Sequence, residues 1–282
     1  MAQDGEQVSC AFGLVDRGVR PGGTLVEVSE GVRVGAAPVV VMAGPCAVES
    51  ADQLLATARA VKAAGARVLR GGAFKPRTSP YSFRGLQHEG LNLLAQARRE
   101  TGLPIVTELL DVRQIDSVAA VADILQIGSR NMQCIPLLEA VGECDKPVLL
   151  KRGMWARLEE FLWAAEWIAS RGNTQIILCE RGIRSFETAT RNTLDLNAVP
   201  WLKRRTHFPV IVDPSHGTGC WWMVRSMSLA AVAAGADGLL LEVHPHPDRA
   251  LSDGAQSLRL DKFEELMDSV GAVARAVGRS LL

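Results

Sequence analysis

From residue 39 onward the chain repeats one pattern, a short apolar, β-branched run followed by a stretch of helical period. Eight such runs stand in series, at Val39–Met42, Arg67–Leu69, Pro104–Thr107, Ile124–Ile127, Val148–Lys151, Ile176–Cys179, Val210–Val212 and Gly238–Glu242. Helix-like segments lie between them, among them 52–63, 88–100, 157–169 and 221–233, and a closing helix covers 260–277. Strand-then-helix units in series predict a parallel sheet, because parallel neighbours need a crossover and the helix supplies it. About 30 residues per unit favours closure into a (β/α)8 TIM barrel. The competing α/β fold, a doubly wound open sheet, favours a Gly-rich phosphate turn after its first strand. Here that turn is Gly44-Pro45-Cys46-Ala47, with neither GxGxxG nor a Walker lysine. The reading is a catalytic barrel over residues 39–282, preceded by an extension over residues 1–38. Within the extension, residues 1–24 look polar and loose, while Thr24–Val32 alternates around a Glu30-Gly31 turn and predicts a β-hairpin at the barrel bottom.

The 282 residues suit one barrel domain, typically about 250 residues. Equal numbers of Lys+Arg and Asp+Glu, 31 each, give no global field toward nucleic acid or an acidic membrane, so any anion site must come from local clustering. No apolar run approaches the roughly 20 residues of a membrane span. The opening MAQDGEQVSC lacks the basic start and apolar core of a signal peptide. The six cysteines, Cys10, Cys46, Cys134, Cys144, Cys179 and Cys220, form no CxxC pair and fit reduced thiols in a cytoplasm.

The polar residues gather at the C-terminal ends of the predicted strands, the face where barrel active sites sit. Arg70 ends the second unit's strand, and Lys75 and Arg77 follow in GGAFKPRTSPYSFRG; Arg130 lies in QIGSRN, Lys151 in PVLLKRG and Arg181 in LCERG. A single rim cation is ordinarily just solvated. Six at consecutive strand ends predict a converging site for a multiply anionic substrate. Arg70 and Lys151 follow directly from apolar strands, where an unpaired charge is costly, so a bound anion is their expected partner.

A second set has metal-ligand chemistry. Cys46 follows the first strand, His216 lies in DPSHGTG, Glu242 ends the eighth strand, and Asp253 lies in LSDG. A thiolate, an imidazole and two carboxylates suit a divalent transition ion, although a lone Cys is usually a small core filler. His244 and His246 form an alternative HxH pair, since alternate residues share a face in extended chain. Trp163 and Trp167 are read as packing on one helix face, and Lys203-Arg204-Arg205 as a solvated helix end or turn without a nucleic-acid role.

Taken with their order, the segments AGPCAVES, LRGGAFKPRTSPYSFRG, LQIGSRNMQ, KPVLLKRG, ILCERGIRSFE, TRNTLDL, VIVDPSHGTG and GADGLLLEVHPHPDRALSDGAQSL, spanning residues 43–258, resemble the 3-deoxy-D-arabino-heptulosonate 7-phosphate (DAHP) synthase family, type I-beta, which is also related to 3-deoxy-octulosonate 8-phosphate (KDO8P) synthases. The resemblance implies a cytoplasmic, metal-dependent transferase of the shikimate pathway to aromatic amino acids. It makes Cys46, His216, Glu242 and Asp253 ligands of a divalent metal, with Mn, Co, Fe and Zn all open. It places Arg70, Lys75, Arg130, Lys151 and Arg181 around phosphoenolpyruvate, and Arg77 and Thr78 at the phosphate of erythrose 4-phosphate. It implies a homo-oligomer, a tetramer by analogy, and no membrane or nucleic-acid partner. The KPRTSP form favours the heptulosonate reaction over condensation with arabinose 5-phosphate or a specialised-pathway aldehyde, and Cys46 favours the metal-dependent members. Two departures stand out, Cys220-Trp221-Trp222 where relatives often carry basic residues, and Cys134 where many have Asn. The regulatory domains appended in some relatives are also missing from the match.

The implied chemistry is aldol-like. The phosphoenolpyruvate methylene carbon attacks the aldehyde, water adds at C2, and phosphate leaves by C–O cleavage. Lys75 is the first candidate for proton transfer at the aldehyde, a water on the metal is the second, and Glu108 at the third strand's end is a candidate for positioning water.

Overall fold

The computed structural model describes residues 12–282; Cys10 and the rest of the expected loose stretch before Phe12 lie outside the described residues. The described chain opens with the expected antiparallel hairpin, β1 (Val26–Ser29) and β2 (Val32–Val34), in which Val26 opposes Val34. Eight strands follow: β3 (Val40–Gly44), β4 (Val68–Arg70), β5 (Ile105–Leu109), β6 (Ile124–Ile127), β7 (Val148–Lys151), β8 (Ile176–Glu180), β9 (Val210–Val212) and β10 (Gly238–Glu242). Each pairs in parallel with its neighbour, and β10 pairs with β3 from Gly238↔Val40 to Glu242↔Gly44. That last ladder closes the barrel and disposes of the open-sheet alternative.

The helices are α1 (Ala51–Ala63), α2 (His88–Thr101), α3 (Ile115–Ala119), α4 (Ile135–Gly142), α5 (Leu158–Ala169), α6 (Ala198–Arg205), α7 (Pro214–Thr218), α8 (Trp221–Ala233) and α9 (Leu260–Ala276). Local signals start several of them. The Ser50 side chain accepts the Gln53 N–H at the head of α1, and the Glu160 carboxylate reaches back to the Arg157 N–H at the head of α5. The tripeptide Asp213-Pro214-Ser215 starts α7: Pro214 sits in the first turn, and the Asp213 side chain accepts the His216 N–H at 2.9 Å.

Three strands sit slightly later than their sequence patterns suggest, the first of them running to Gly44. The second barrel strand ends on Arg70 and the third reaches Leu109, because their ladders continue through Arg70↔Val106 and Leu109↔Ile127. Arg70 thus ends its strand and Glu108 stands one residue from the end of its own, at the strand ends where the sequence placed them.

Side-chain parity then decides what enters the barrel. Alternate residues of a strand face opposite sides. One apolar cluster, the barrel interior, holds Val40, Met42, Val68, Val106, Ile124, Leu149, Ile177, Ile211 and Leu240. The larger cluster, between sheet and helices, holds their neighbours Val41, Leu69, Ile105, Leu125, Leu150, Leu178, Val212 and Leu239. Two residues above the interior layer, on the same face, come Arg70, Glu108, Gln126, Lys151, Asp213 and Glu242. The interior thus changes from apolar to charged in a single step of the pleat.

The hairpin closes the other end, since Val26, Val28 and Val34 share the interior cluster. Beside it, the C-terminal Leu282 N–H donates to the Val39 carbonyl. The described part of the segment expected to be loose is in fact anchored. The Glu166 carboxylate accepts the N–H groups of Gly13, Leu14 and Val15 at 2.8–3.0 Å, Phe12 meets Trp163 at 4.7 Å between ring centroids, and Thr24 bonds His207. Polar composition hid this anchor because its partners lie over 150 residues away. Trp163 and Trp167 do share one face of α5, but that face remains 42% and 40% exposed. Lys203 is not simply solvated, for its ammonium pairs with Asp237 at 2.6 Å. Among the described residues no helix is long and apolar enough to cross a membrane.

If the hairpin is the floor of the barrel, trimming it should cost packing free energy without touching the opposite mouth. Val26→Ala and Val34→Ala should each destabilise the protein by about 2 kcal/mol. Urea unfolding checks the midpoint shift, and an unchanged midpoint for both would show that the hairpin packs without contributing stability.

Candidate active site at the barrel mouth

A cleft of about 320 Å³ opens at the C-terminal ends of the strands. All six sequence-predicted cations line it: Arg70, Lys75, Arg77, Arg130, Lys151 and Arg181, joined by Thr78, Glu108, His216 and Asp253. Cys46 and Glu242 do not line it but lie buried beneath, each 1% exposed.

The cations differ in how far their charge is already satisfied. Arg70 donates to Glu242 Oε1 at 2.8 Å and to the Pro45 carbonyl at 3.0 Å. Lys151 is paired with Asp213. The expectation that these two are unpaired is therefore corrected: opposite charges face them from β10 and from the start of α7, elements far away in sequence. Arg181 is the residue left short. It is buried, its Nε has no partner, and its only side-chain hydrogen bond among the described residues is a 3.4 Å contact to the Gly182 carbonyl. Burial lowers its pKa from the usual arginine value, and the nearby Arg191 charge acts in the same direction. A desolvated cation held beside another cation is a site for an anion. Lys75, also buried, donates to the Cys46 carbonyl at 3.2 Å, and Arg77 donates to Ser252 Oγ at 2.7 Å. Arg130 and Thr78 are exposed on the rim.

Beneath the cations is an acceptor-rich cluster. One ligand atom each from Cys46, Glu242 and Asp253 lies within 4.8 Å of the others. His216, the fourth expected ligand, lies beside this group, within reach of Glu242 but outside the 4.8 Å cluster. Its Nδ1 is 2.7 Å from Asp213 Oδ2, so Nδ1–H donates and Nε2 keeps its lone pair. Nε2 in turn lies 3.4 Å from Glu242 Oε1. Burial depresses the His216 pKa to about 4 against the pull of Asp213, so no proton sits between these two acceptors at neutral pH. Burial, assisted by Glu242, pushes the Cys46 thiol up to about 12, and Sγ donates to Asp253 Oδ2 at 3.4 Å. Burial also works against an ionised Asp253, yet Arg191, His216 and Lys75 prevail and hold it at about 2. Two carboxylates, a thiol that must lose its proton to ligate, and a nearby imidazole lone pair have the chemistry of donors to a divalent cation.

The alternative HxH pair does not join this cluster. His244 Nδ1 accepts the His246 N–H at 3.0 Å, which leaves Nε2–H to donate to Glu49 Oε2 at 3.3 Å, and His246 is exposed. Several partners escaped the sequence reading. Asp213, which serves both Lys151 and His216, stands directly after a strand and carried the same positional signal as the others. Arg191 lines the cleft and pairs with Asp253 at 3.3 Å, and Gln256 donates to Glu242 Oε2 at 2.8 Å. Arg191 lies in a loop and Gln256 in a single 3-10 turn, where no strand end marks them. Glu108 owes its room to Gly128, where a Cβ would come 1.9 Å from Oε1.

Comparison with known proteins finds the same architecture elsewhere. The sequence model of the DAHP synthetase I family matches residues 24–277. The chain is 49% identical to phospho-2-dehydro-3-deoxyheptonate aldolase of Thermotoga maritima over 267 residues, covering 95% of this chain and 79% of that one. It is 38% identical to 2-dehydro-3-deoxyphosphooctonate aldolase of Syntrophotalea carbinolica, over 84% of this chain and 91% of that protein. The crystal structure of the Thermotoga maritima enzyme superposes with a TM-score of 0.95 at 48% identity, covering 98% of this chain and 81% of that chain. A truncated form of 3-deoxy-D-arabino-heptulosonate 7-phosphate synthase from the same organism gives 0.91 at 47% identity, covering 96% and 99%.

The state of Arg181 yields an expectation about stability. Arg181→Met removes a desolvated charge that lacks a partner, so the ligand-free variant should melt no lower than the parent protein. Inorganic phosphate at 100 times its Kd should stabilise the parent by about 2.7 kcal/mol and the variant far less. Thermal scans with and without phosphate decide this, and equal stabilisation of the two proteins would remove Arg181 from the anion site.

Proposed function

Because the chain belongs to the DAHP synthetase I family, we propose that it is a 3-deoxy-7-phosphoheptulonate synthase, condensing phosphoenolpyruvate with erythrose 4-phosphate to give DAHP and phosphate. The observation that carries this reading is the stacking of two complementary layers at one barrel mouth, a ring of cations above a buried set of metal-donor side chains. Two anionic substrates need the first layer, and an aldehyde awaiting a carbon nucleophile is activated by the second. The donor chemistry of Cys46, His216, Glu242 and Asp253 fits a divalent ion, and these four are its proposed ligands. When bound, such an ion supplies Lewis acidity toward the aldehyde oxygen.

The remaining roles belong to the chain's own side chains. Arg70, Lys75, Arg130, Lys151 and Arg181 hold the carboxylate and phosphate of phosphoenolpyruvate, with Arg181 contributing the most weakly paired of the buried guanidiniums. Arg77 and Thr78 take the phosphate of erythrose 4-phosphate at the outer rim. Held this way, two mutually repelling anions meet at reacting distance, which is the main contribution of binding to the rate. The methylene carbon bonds to the aldehyde carbon, and Lys75 delivers a proton to the aldehyde oxygen as it becomes a hydroxyl. Glu108, on the wall of the cleft beside Gln126, orients the water that adds at C2. Phosphate then leaves with the bridging oxygen, so the water supplies the new C2 oxygen.

The enzyme works as a homo-oligomer, a tetramer by family analogy, in the cytoplasm. Exposed aromatic side chains at Trp221, Trp222, Phe186 and Tyr81 and free thiols at the five described cysteines are in keeping with that setting.

Product analysis with both aldoses tests the substrate. We expect kcat/KM for erythrose 4-phosphate to exceed that for arabinose 5-phosphate by a factor on the order of 100 or more. A reversed ratio would move the chain to the octulosonate branch, whose members it also resembles. Metal uptake has its own readout. The Cys46 thiol is protonated without metal and must give up that proton to ligate, so ion binding should release about one proton and tighten as pH rises. Calorimetry of Mn(II) or Zn(II) binding in buffers of different ionisation heat measures the release. In Cys46→Ser the release should fall toward zero and binding should weaken; unchanged proton release would take Cys46 out of the ligand set.

A further inference from the structure

Behind Lys151 and Arg181, the same two strand ends carry a second charged pair on the opposite face. Arg152 follows β7 and Glu180 ends β8; both are buried and neither lines the cleft. Arg152 NH1 donates to Glu180 Oε2 at 2.8 Å and to Asp195 Oδ2 at 2.9 Å, and its Nε donates to the Ala156 carbonyl at 3.0 Å. The other oxygen of Glu180, Oε1, accepts the Gly182 N–H at 2.6 Å. That bond closes the turn carrying Arg181, at a position where φ is +87° and a Cβ would meet Asn192 Cβ at 2.8 Å. Asp195 belongs to the long 183–197 segment, which also holds Arg191 at the cleft and Asn192, whose amide donates to the His216 carbonyl at 2.9 Å.

A triad of one buried cation, one buried carboxylate and the partly exposed Asp195 is expensive, and apolar packing would often serve stability as well or better. What apolar packing would not supply is direction. The triad ties three separate chain segments together at a single guanidinium. Arg181 has no strong side-chain partner of its own, so its aim depends on the backbone turn at 180–182. We propose that Arg152 is a positioning residue for phosphoenolpyruvate binding, acting through Glu180 and Asp195 to fix the spacing and aim of Lys151 and Arg181. This inference rests on the assignment of those two cations to phosphoenolpyruvate.

Glu180→Gln and Asp195→Asn remove charge while keeping shape, and Arg152→Lys keeps charge without the fork that reaches several partners. Calorimetry of the binary phosphoenolpyruvate complex, steady-state kinetics for both substrates and melting curves are measured for each. We expect phosphoenolpyruvate Kd and KM to rise about tenfold in Glu180→Gln and Asp195→Asn, with kcat and the KM for erythrose 4-phosphate changed less than about twofold. Arg152→Lys should fall between these variants and the parent protein. Unchanged phosphoenolpyruvate affinity in both isosteric variants overturns the proposal. So does a loss in which kcat and both KM values move together with the melting temperature, the mark of a purely structural role. Arg181→Met, run in parallel, separates the two levels. If it spares phosphoenolpyruvate binding, the pocket assignment itself fails; if it abolishes binding while Glu180→Gln and Asp195→Asn do not, only the positioning role fails.

Discussion

Charges enclosed in a closed barrel must find their opposites inside it, and the mouth of this protein is organised by that requirement. Arg70 meets Glu242 across the barrel interior, and Lys151 meets Asp213. Asp213 also accepts from the His216 ring and from its backbone N–H. One carboxylate therefore holds a cation of the upper layer and orients the His216 imidazole of the lower one. The upper and lower layers are not independent sites placed side by side. Removing one buried partner would leave an uncompensated charge, which typically costs about 3–5 kcal/mol.

Parity explains why so much of this was legible. In β4, β7 and β10 the charged residue stands two positions after an inward apolar one, so the sequence VLR, VLLK or GLLLE already states which face the charge occupies. The barrel followed from counting units, and the converging cations from their places at strand ends. Pairing was not legible, because partners such as Arg70 and Glu242 are 172 residues apart and no local pattern links them. For that reason Arg70 and Lys151 looked like free charges while Arg181, the one short of partners, looked no different from them. Arg191 and Gln256 stayed hidden for another reason: a residue in a loop or a single turn has no periodicity from which its direction can be read.

The two departures from the family pattern fall outside the cleft. Cys134 is exposed at the head of α4, and Cys220 stands just before α8, with Trp221 and Trp222 forming its first turn. Those tryptophans border a separate groove together with Gly219, Gly254, Arg259 and Lys262. The substitutions therefore change the surface around the mouth and leave the proposed ligand set whole.

The uneven spread of charge has a physical reach beyond contact distance. The cleft is lined by seven cations and two carboxylates, and with Asp213 and Glu242 paired just beneath, seven against four, the mouth keeps a surplus of three. The whole chain is neutral, 31 against 31, so the remainder of the molecule carries an equal surplus of acid. The positive charge left over is therefore concentrated at the barrel mouth. Phosphorylated sugars approaching within a Debye length, about 8 Å at physiological ionic strength, are drawn toward the mouth and turned phosphate-first. Capture of the substrates is thus sensitive to salt, although the chain's overall charge gives no hint of it.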